Sequence, residues 1–155
     1  MIDGSSVGGR VFIDTNVLIY PYDRSEPEKQ RQALTVLDRL STTGAGVISI
    51  QVLGEFFDVS RRRLNVGLSL AEASELVTEF MQSFEVVDLT SVVFLDAVRG
   101  VRDHQLNYWD ALIWATARLN QVFVIFSEDF SSNVVLEGVR IVNPFAPDFD
   151  LAEWV

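Results

Sequence analysis

Apolar residues in this chain occur in two patterns, short continuous runs and longer stretches in which they recur every three or four positions. Continuous runs such as residues 11–13 and 122–126 are typical of strands buried on both faces of a parallel sheet. The recurring pattern, as in residues 33–40, predicts amphipathic helices. Because the two patterns alternate along the chain, the sequence predicts an α/β fold, a three-layer α/β/α sandwich with a central parallel sheet.

Several predicted helices begin with capping signals. Ser25 stands three residues before Glu28, and Ser69 three residues before Glu72, which is the spacing of a capping box. Ser91 is predicted to cap the helix that follows it. The inward face of that helix is predicted to consist of Phe94, Ala97, Val98 and Val101. Strands are predicted at residues 11–13, 47–50, 84–88, 122–126 and 139–142.

Length and composition predict a single domain with a sizeable core. The chain has 155 residues, of which 48% are hydrophobic, and the absence of cysteine excludes disulfides and thiolate metal sites. No apolar run approaches the ~20 residues that cross a bilayer, so we expect a cytoplasmic protein without a membrane segment. We expect a flexible segment at residues 1–10, the domain at 11–145, and a tail at 146–155 packed on or near the domain.

The chain is acidic, with a formal net charge of −10, and Lys29 is its only lysine. This charge argues against general binding to a phosphate backbone. Any contact with nucleic acid would be local, through bound cations or a small basic patch. The three consecutive arginines at residues 61–63 suit the negative end of a helix dipole, and a phosphate or partner contact is the alternative interpretation.

Four acidic residues stand in apolar surroundings. Asp14 and Asp129 each follow a predicted buried strand, at the edge where open α/β sheets bind ligands. Glu55 shares a helix face with apolar residues. Asp110 lies near the start of a helix that is apolar nearly all round, after the predicted cap Asn107. A carboxylate in such surroundings is costly to bury unless it is paired or holds a cation.

Each of these acids also has a purely structural interpretation. Asp14 is a favoured residue for capping the helix that begins near residue 17. Glu55 fits a boundary position whose carboxylate reaches water, and a helix dipole favours Asp110 near a helix start. His104, the only histidine, lies in a predicted loop, where a solvated side chain is the usual case. Taken singly, none of these residues establishes a site.

Taken together, the acids indicate a cation site. If the first and fourth strands are neighbours, Asp14 and Asp129 share one sheet edge, and Asp110 can join them there. Several carboxylates within a few ångströms cannot all ionise without a counter-charge. Oxygen ligands without cysteine or a nearby histidine select a hard cation, Mg²⁺ or Mn²⁺. Such a cluster serves phosphoryl transfer or phosphodiester hydrolysis.

Four segments carry a resemblance to a known family. They are Phe-Ile-Asp-Thr-Asn-Val-Leu-Ile-Tyr at 12–20, Tyr-Trp-Asp-Ala-Leu-Ile at 108–113, Ser-Glu-Asp-Phe at 127–130 and Val-Arg-Ile-Val-Asn-Pro-Phe at 139–145. In these segments the chain resembles PIN-domain ribonucleases of the VapC toxin type, over about residues 11–145. The resemblance implies a Mg²⁺-dependent endoribonuclease acting on single-stranded or structured RNA. It also implies a homodimer and inhibition by a small cognate antitoxin protein.

The resemblance also implies roles for individual residues. It implies four acids that hold the metal and carry catalysis, namely Asp14, Glu55, Asp110 and Asp129. It implies three polar residues that contact the substrate or orient the acids, namely Thr15, Asn16 and Ser127. The fourth acidic position, Asp129 here, varies most in such proteins. Residues 131–138, which follow it, differ from the sequence that is more common in the family. Substrate contacts in that segment therefore stay open.

Two other classes of phosphoryl-transfer protein also place an aspartate after the first strand. A phosphatase of the haloacid dehalogenase kind needs a second aspartate two residues later, where this chain has Asn16, and a lysine late in the fold, which it lacks. A response-regulator receiver is excluded by the same missing lysine. An acidic PIN-like domain that binds a metal or a partner without catalysis is the alternative that stays open.

Overall fold

The computed structural model describes residues 9–130 and 133–155. The predicted flexible segment at residues 1–10 lies mostly outside the described residues, as do residues 131 and 132. The strands in the described part are β1 (Val11–Ile13), β2 (Gly46–Ser49), β3 (Glu85–Val87), β4 (Val124–Phe126), β5 (Val135–Leu136) and β6 (Val139–Val142). Its α-helices are α1 (Thr15–Ile19), α2 (Pro27–Thr43), α3 (Ile50–Arg62), α4 (Leu70–Ser83), α5 (Ser91–His104) and α6 (Tyr108–Leu119).

The strands form one sheet in the order β3-β2-β1-β4-β6-β5. All neighbouring strands run parallel except β5, which pairs antiparallel with β6. Helices α1 to α4 pack among themselves and α5 packs against α6, so two groups of helices flank the sheet. The predicted α/β fold with a central parallel sheet is therefore confirmed.

The strand β5 is absent from the sequence-based prediction. It is only two residues long, and too short for any alternation of apolar and polar positions to be recognised. The turn between β5 and β6 places Glu137 and Gly138 in the left-handed region, at φ 48° and 86°. Positive φ at both central residues is what a tight two-residue hairpin requires.

Helix termini agree with the sequence in part. Ser69 and Glu72 form the predicted capping box, with reciprocal contacts of 3.1 Å. The capping box predicted at Ser25 is wrong, because α2 begins at Pro27 and the Ser25 hydroxyl donates instead to Asp23 at 2.6 Å. The cap of α5 is Thr90, one residue before the predicted Ser91.

The predicted inward face of α5 is wrong by about a quarter of a turn. Ala97 is buried as predicted, but Phe94 and Val98 are 46% and 47% exposed. The buried positions are instead Val93, Ala97 and Gly100. The reason is the close approach of α6: a Cβ atom at Gly100 would lie 2.7 Å from the ring of Trp114, so only the small-residue face fits there.

The C-terminal segment, residues 146–155, contacts the core of the domain. The ring of Phe149, in the segment predicted to be a C-terminal tail, packs edge-on against the core residue Phe126, with ring centroids 5.4 Å apart. Trp154 in the same segment packs on the core as a partly buried residue. Within the described residues, every helix is too short or too polar to cross a membrane.

Candidate active site

The carboxyl ends of β1 and β4 lie side by side in the middle of the sheet. The direction in which strands are added reverses between them, which makes this a topological switch point, where α/β sheets bind ligands. Asp14 directly follows β1, and its backbone N–H donates to the Phe126 carbonyl at 3.0 Å. Asp129 follows β4 by three residues, so the two acids lie at one edge of the sheet, as the sequence predicts.

Asp14 is 5% exposed and uses both carboxylate oxygens for hydrogen bonds. Its Oδ1 accepts from the Thr15 backbone N–H at 2.7 Å, which caps α1. Its Oδ2 accepts from the Ser127 hydroxyl at 2.7 Å. The capping interpretation of Asp14 is therefore right, but it accounts for only one of the two oxygens.

Burial raises the pKa of Asp14 from its ordinary value of 3.8 to about 7. The hydrogen bonds from Ser127 and the Thr15 backbone lower this pKa, and the negative charges of Asp129 and Glu55 raise it further. Desolvation is the largest of these effects because the carboxylate lies behind apolar strand and helix residues. A nearby cation would relieve both the desolvation and the repulsion.

Asn16 joins the two strand-end acids. Its side-chain Nδ2 donates to Asp129 Oδ2 at 3.1 Å and to the Ser127 hydroxyl oxygen at 3.2 Å, and it lies 3.4 Å from Asp14 Oδ2. Its Oδ1 accepts from the Glu128 backbone N–H at 3.2 Å. The amide therefore holds the loop after β4 against the start of α1.

Glu55 reaches the same edge from α3. The Thr15 hydroxyl donates to Glu55 Oε2 at 2.7 Å, and the Gln51 amide donates to Glu55 Oε1 at 2.8 Å. The same amide nitrogen lies 3.4 Å from the Trp109 carbonyl, next to Asp110. Sequence reasoning missed Gln51, although its position one helical turn before Glu55 is visible in the sequence.

Asp110 lies in the first turn of α6, after Asn107, whose side chain accepts from the Trp109 N–H at 2.9 Å. Its pKa is raised, first by partial burial and then by repulsion from Asp129 and Glu55. This repulsion places the Asp110 carboxylate within electrostatic range of both acids. Asp14 and Asp110 are therefore each close enough to Asp129 and Glu55 for the negative charges of those two acids to raise their pKa values.

Glu128, between Ser127 and Asp129, is held away from this group. Its carboxylate accepts from the Tyr20 hydroxyl at 2.5 Å and pairs with Lys29 at 2.9 Å. The hydrogen bond to Glu128 also raises the pKa of Lys29. The only lysine of the chain thus neutralises the one acid of this loop that does not join the others.

A groove of about 300 Å³ runs beside the acids. It is lined by Thr15, Asn16, Ile19, Tyr20, Glu55, Val59, Arg63, Glu128 and Asp129. Five of these positions belong to the predicted site or adjoin it in sequence, and Val59 and Arg63 extend the groove along α3. The sequence offers a signal for this extension, because Glu55, Val59 and Arg63 are spaced four residues apart.

Within residues 9–130 and 133–155, no three acidic, histidine or cysteine side chains converge in an arrangement ready to hold a metal ion. Asp14, Glu55 and Asp129 accept hydrogen bonds from hydroxyl and amide groups instead. The chemistry of the donors nevertheless fits a hard cation, because all are carboxylates and the repulsion among them calls for positive charge.

The only histidine, His104, and two of the three arginines at residues 61–63 make contacts outside the group of acids. His104 is the last residue of α5, not a loop residue, and its Nε2 lies 2.6 Å from Glu137 Oε2. Of the three arginines at residues 61–63, Arg61 stacks on Phe57 with 4.9 Å to the ring centroid, and Arg62 pairs with Asp58 at 2.8 Å.

Comparison with known proteins gives a family match and several structural neighbours. A family model for the PIN domain matches residues 11–148. A toxin–antitoxin complex from Klebsiella pneumoniae is similar with a TM-score of 0.65 and 18% identity, covering 87% of this chain and 98% of that one. No curated protein sequence matches.

Two further solved structures are similar to a comparable degree. Mycobacterium tuberculosis VapC20, described as a Sarcin-Ricin loop cleaving toxin, has a TM-score of 0.60 and 20% identity, covering 84% of this chain and 98% of its own. DNA-bound VapBC from Salmonella typhimurium has a TM-score of 0.60 and 19% identity, covering 86% and 96%. At these identities the likeness shows the fold.

Proposed function

Because this chain belongs to the PIN domain family, we propose that it is an endoribonuclease that hydrolyses RNA phosphodiester bonds with a divalent cation, Mg²⁺ or Mn²⁺. One observation carries the proposal: Asp14 and Asp110, from separate segments near the switch point of the sheet, both have raised pKa values, and repulsion from Asp129 and Glu55 contributes to both. Asp14 is buried beside the charges of Asp129 and Glu55, and a counter-charge at this edge would relieve that repulsion.

Asp14, Asp110 and Asp129 are the proposed ligands of the cation, with Glu55 as a further ligand or a base that receives a proton. A divalent cation bound by carboxylates lowers the pKa of a water molecule and neutralises charge that develops on a phosphate. The chain's own part is to bring these carboxylates to one edge of the sheet, with Asp14 buried and Asp129 exposed to solvent.

The three polar residues named with the acids orient them in this proposal. Thr15 and Ser127 donate hydroxyl protons to Glu55 and Asp14, and these hydrogen bonds fix the direction of each carboxylate. Asn16 holds Asp129 against β1 through its amide. Such supporting contacts commonly change metal affinity or activity by about 10–100-fold when they are removed.

We also propose that the chain is the toxin of a toxin–antitoxin pair. The fold is shared with proteins described as toxins or as toxin–antitoxin complexes. Tyr20 and Val59 are half-buried and line the groove beside the acids, where a segment of a small antitoxin can lie. The net charge of −10 attracts a basic partner, and an arginine of that partner can pair with the carboxylates.

The exposed face of α5 is the proposed surface for a homodimer. Val92 and Leu95 are 63% and 65% exposed, and Val98 continues the same face. The charged residues near it are paired within the chain, Asp96 with Arg99 at 3.0 Å and Asp103 with Arg102 at 2.8 Å. A two-fold contact brings the same patch of both copies together, which suits an apolar helix face. The apolar residues of α3 and α4 offer less exposed surface, because Phe56 and Phe80 are buried.

Replacing Leu95 with glutamate is expected to convert the dimer into a monomer. The substitution places two like charges across the proposed two-fold contact, and it leaves the core unchanged because the side chain is exposed. Light scattering at tens of micromolar measures the mass. Leu34→Glu, at a position 55% exposed on α2, is the matched control and is expected to stay dimeric. A monomeric unmodified chain contradicts the proposal.

Cleavage of RNA is the test of the proposed function. The purified chain is incubated with a single-stranded RNA and with a structured hairpin RNA, in Mg²⁺, in Mn²⁺ and with a chelator. Cleavage is expected only with a divalent cation, and Asp110→Asn is expected to lower it by roughly 100-fold or more because a ligand charge is lost. Asp38→Asn, on the exposed side of α2, is expected to retain full activity.

The non-catalytic alternative makes a different prediction in the same assay. A chain that binds a cation through these acids but leaves both RNAs intact supports a metal- or partner-binding domain and contradicts the nuclease. Equal cleavage by Asp110→Asn and the unmodified chain indicates a contaminating nuclease and contradicts the assignment of this site.

A further inference from the structure

The three arginines at the end of α3 have different surroundings. The guanidinium of Arg61 lies over the Phe57 ring, and that of Arg62 pairs with Asp58. Arg63 lines the groove beside the acids. Throughout the described residues, no carboxylate oxygen lies within 4.0 Å of its guanidinium, so its positive charge is not neutralised by the protein.

Arg63 is separated from Glu55 by about two turns of α3. Glu55 and Val59 lie one turn apart on α3, and Arg63, which caps the C-terminus of that helix, follows four residues after Val59; all three line the groove. Eight residues of helix span about 12 Å along the axis. The groove therefore runs from the carboxylates at one end, past an apolar position, to a single guanidinium at the other.

Arg63 is the one positively charged residue among the described residues that line this groove. The other ionised residues that line it are Glu55, Glu128 and Asp129, all acidic, and only Glu128 is paired with a cation, Lys29. A nucleic-acid strand entering this groove carries a negative phosphate at every nucleotide. A phosphate bound in this groove away from the cation would be repelled by the carboxylates unless a positively charged group lies beside it.

We propose that Arg63 binds a phosphate of the RNA strand next to the one that is cleaved, and so directs the strand along α3 across the acids. This inference rests on the proposed ribonuclease function. A guanidinium suits this task because its planar fork can donate two parallel hydrogen bonds to phosphate oxygens. In a chain of net charge −10, one such contact is a large share of the attraction available to RNA.

The test compares Arg63→Gln with Arg62→Gln, a matched change at the neighbouring position outside the groove. Cleavage rates of a single-stranded RNA give KM and kcat across a range of salt concentrations. For Arg63→Gln we expect KM to rise about tenfold with kcat changed less than twofold, since charged hydrogen bonds to phosphate act in binding. We expect Arg62→Gln to match the unmodified chain.

Salt dependence and a conservative variant separate a phosphate contact from a structural effect. Removing one phosphate contact from a single strand is expected to make the dependence of log KM on log salt shallower by about 0.7. Arg63→Lys keeps the charge without the fork and is expected to recover part of the loss in KM. Unchanged melting temperatures check that every variant folds.

The outcomes distinguish this inference from the function on which it rests. If the unmodified chain cleaves RNA and Arg63→Gln equals Arg62→Gln in KM and salt dependence, the role of Arg63 is overturned and the nuclease stands. A fall in kcat at unchanged KM overturns it as well, because the residue then acts on the acids. If Arg63→Gln weakens binding of a protein partner and leaves KM for RNA unchanged, the groove end belongs to that partner. If the unmodified chain cleaves no RNA, both the inference and the proposed function fail.

Discussion

Replacing Asp14 with asparagine is expected to abolish RNA cleavage and, at the same time, to stabilise the metal-free protein. Asparagine has nearly the same size and keeps an oxygen that can accept the Thr15 N–H. It removes the charge that a divalent cation requires, so cleavage should fall by roughly 100-fold or more. A residue whose removal stops function while raising stability is what a functional site in strained surroundings predicts.

The stabilising effect follows from the pKa of Asp14, which burial raises from 3.8 to about 7. Between these two pH values the folded protein binds more protons at this site than the unfolded chain, so the free energy of unfolding falls as pH rises. One pKa unit corresponds to about 1.4 kcal/mol, so above pH 7 the ionised side chain costs up to about 4 kcal/mol. Asp14→Asn does not bear this cost.

Thermal unfolding in a chelator between pH 4 and 8 measures this difference. At pH 8 the variant is expected to melt roughly 10 °C above the unmodified chain, and the difference is expected to shrink towards pH 4. Asp38→Asn, an exposed aspartate on α2, should behave like the unmodified chain. A variant that melts lower at pH 8, or a difference independent of pH, would show that Asp14 is not strained.

Adding Mg²⁺ or Mn²⁺ is expected to raise the melting temperature, and to raise it more at pH 8 than at pH 6. A cation at 100 times its dissociation constant stabilises the native state by about 2.7 kcal/mol. For a chain of this length that corresponds to roughly 5–10 °C. Below its pKa of about 7 Asp14 is protonated, so the cation must displace a proton and binds more weakly.

The control for this shift is the same titration on Asp14→Asn. Loss of the charged ligand is expected to reduce the shift at pH 8 and to remove its dependence on pH. An equal shift in both proteins at both pH values would mean that the cation binds elsewhere on this acidic surface. No shift at saturating Mg²⁺ or Mn²⁺ would contradict a metal site.

Much of the candidate site can be predicted from the sequence because two of its acids follow predicted strands. The buried runs before Asp14 and before Asp129 predict parallel strands, and parallel strands bring their carboxyl ends to one edge. Asp110 and Glu55 can be recognised as candidate site residues because a carboxylate among the apolar residues of a helix is costly to bury unless it is paired or holds a cation. The hydrogen bonds that these acids accept from Thr15, Asn16 and Ser127 depend on tertiary placement, which local patterns describe only in part.

The features that the sequence did not predict depend on which neighbour an element meets. In α5 the apolar residues outnumber the buried positions, so periodicity alone does not identify the inward face. The close approach of Trp114 to Gly100 decides it. Glu128 and Asp129 are adjacent and chemically alike, and only the location of Lys29 on α2 separates the paired acid from the one that joins the site. Arg63 likewise differs from Arg62 only in what lies around it.

An anomalous difference map from crystals of this protein soaked in Mn²⁺ is the direct test of the metal site, because it locates the cation without reference to activity. We expect a Mn²⁺ peak at the carboxyl ends of β1 and β4, ligated by carboxylate oxygens of Asp14 and of Asp110 or Asp129. The same soak of Asp14→Asn is expected to show a weaker peak or none. If this edge stays empty at saturating Mn²⁺, with Asp14 still hydrogen-bonded to Ser127, these acids do not form a metal site.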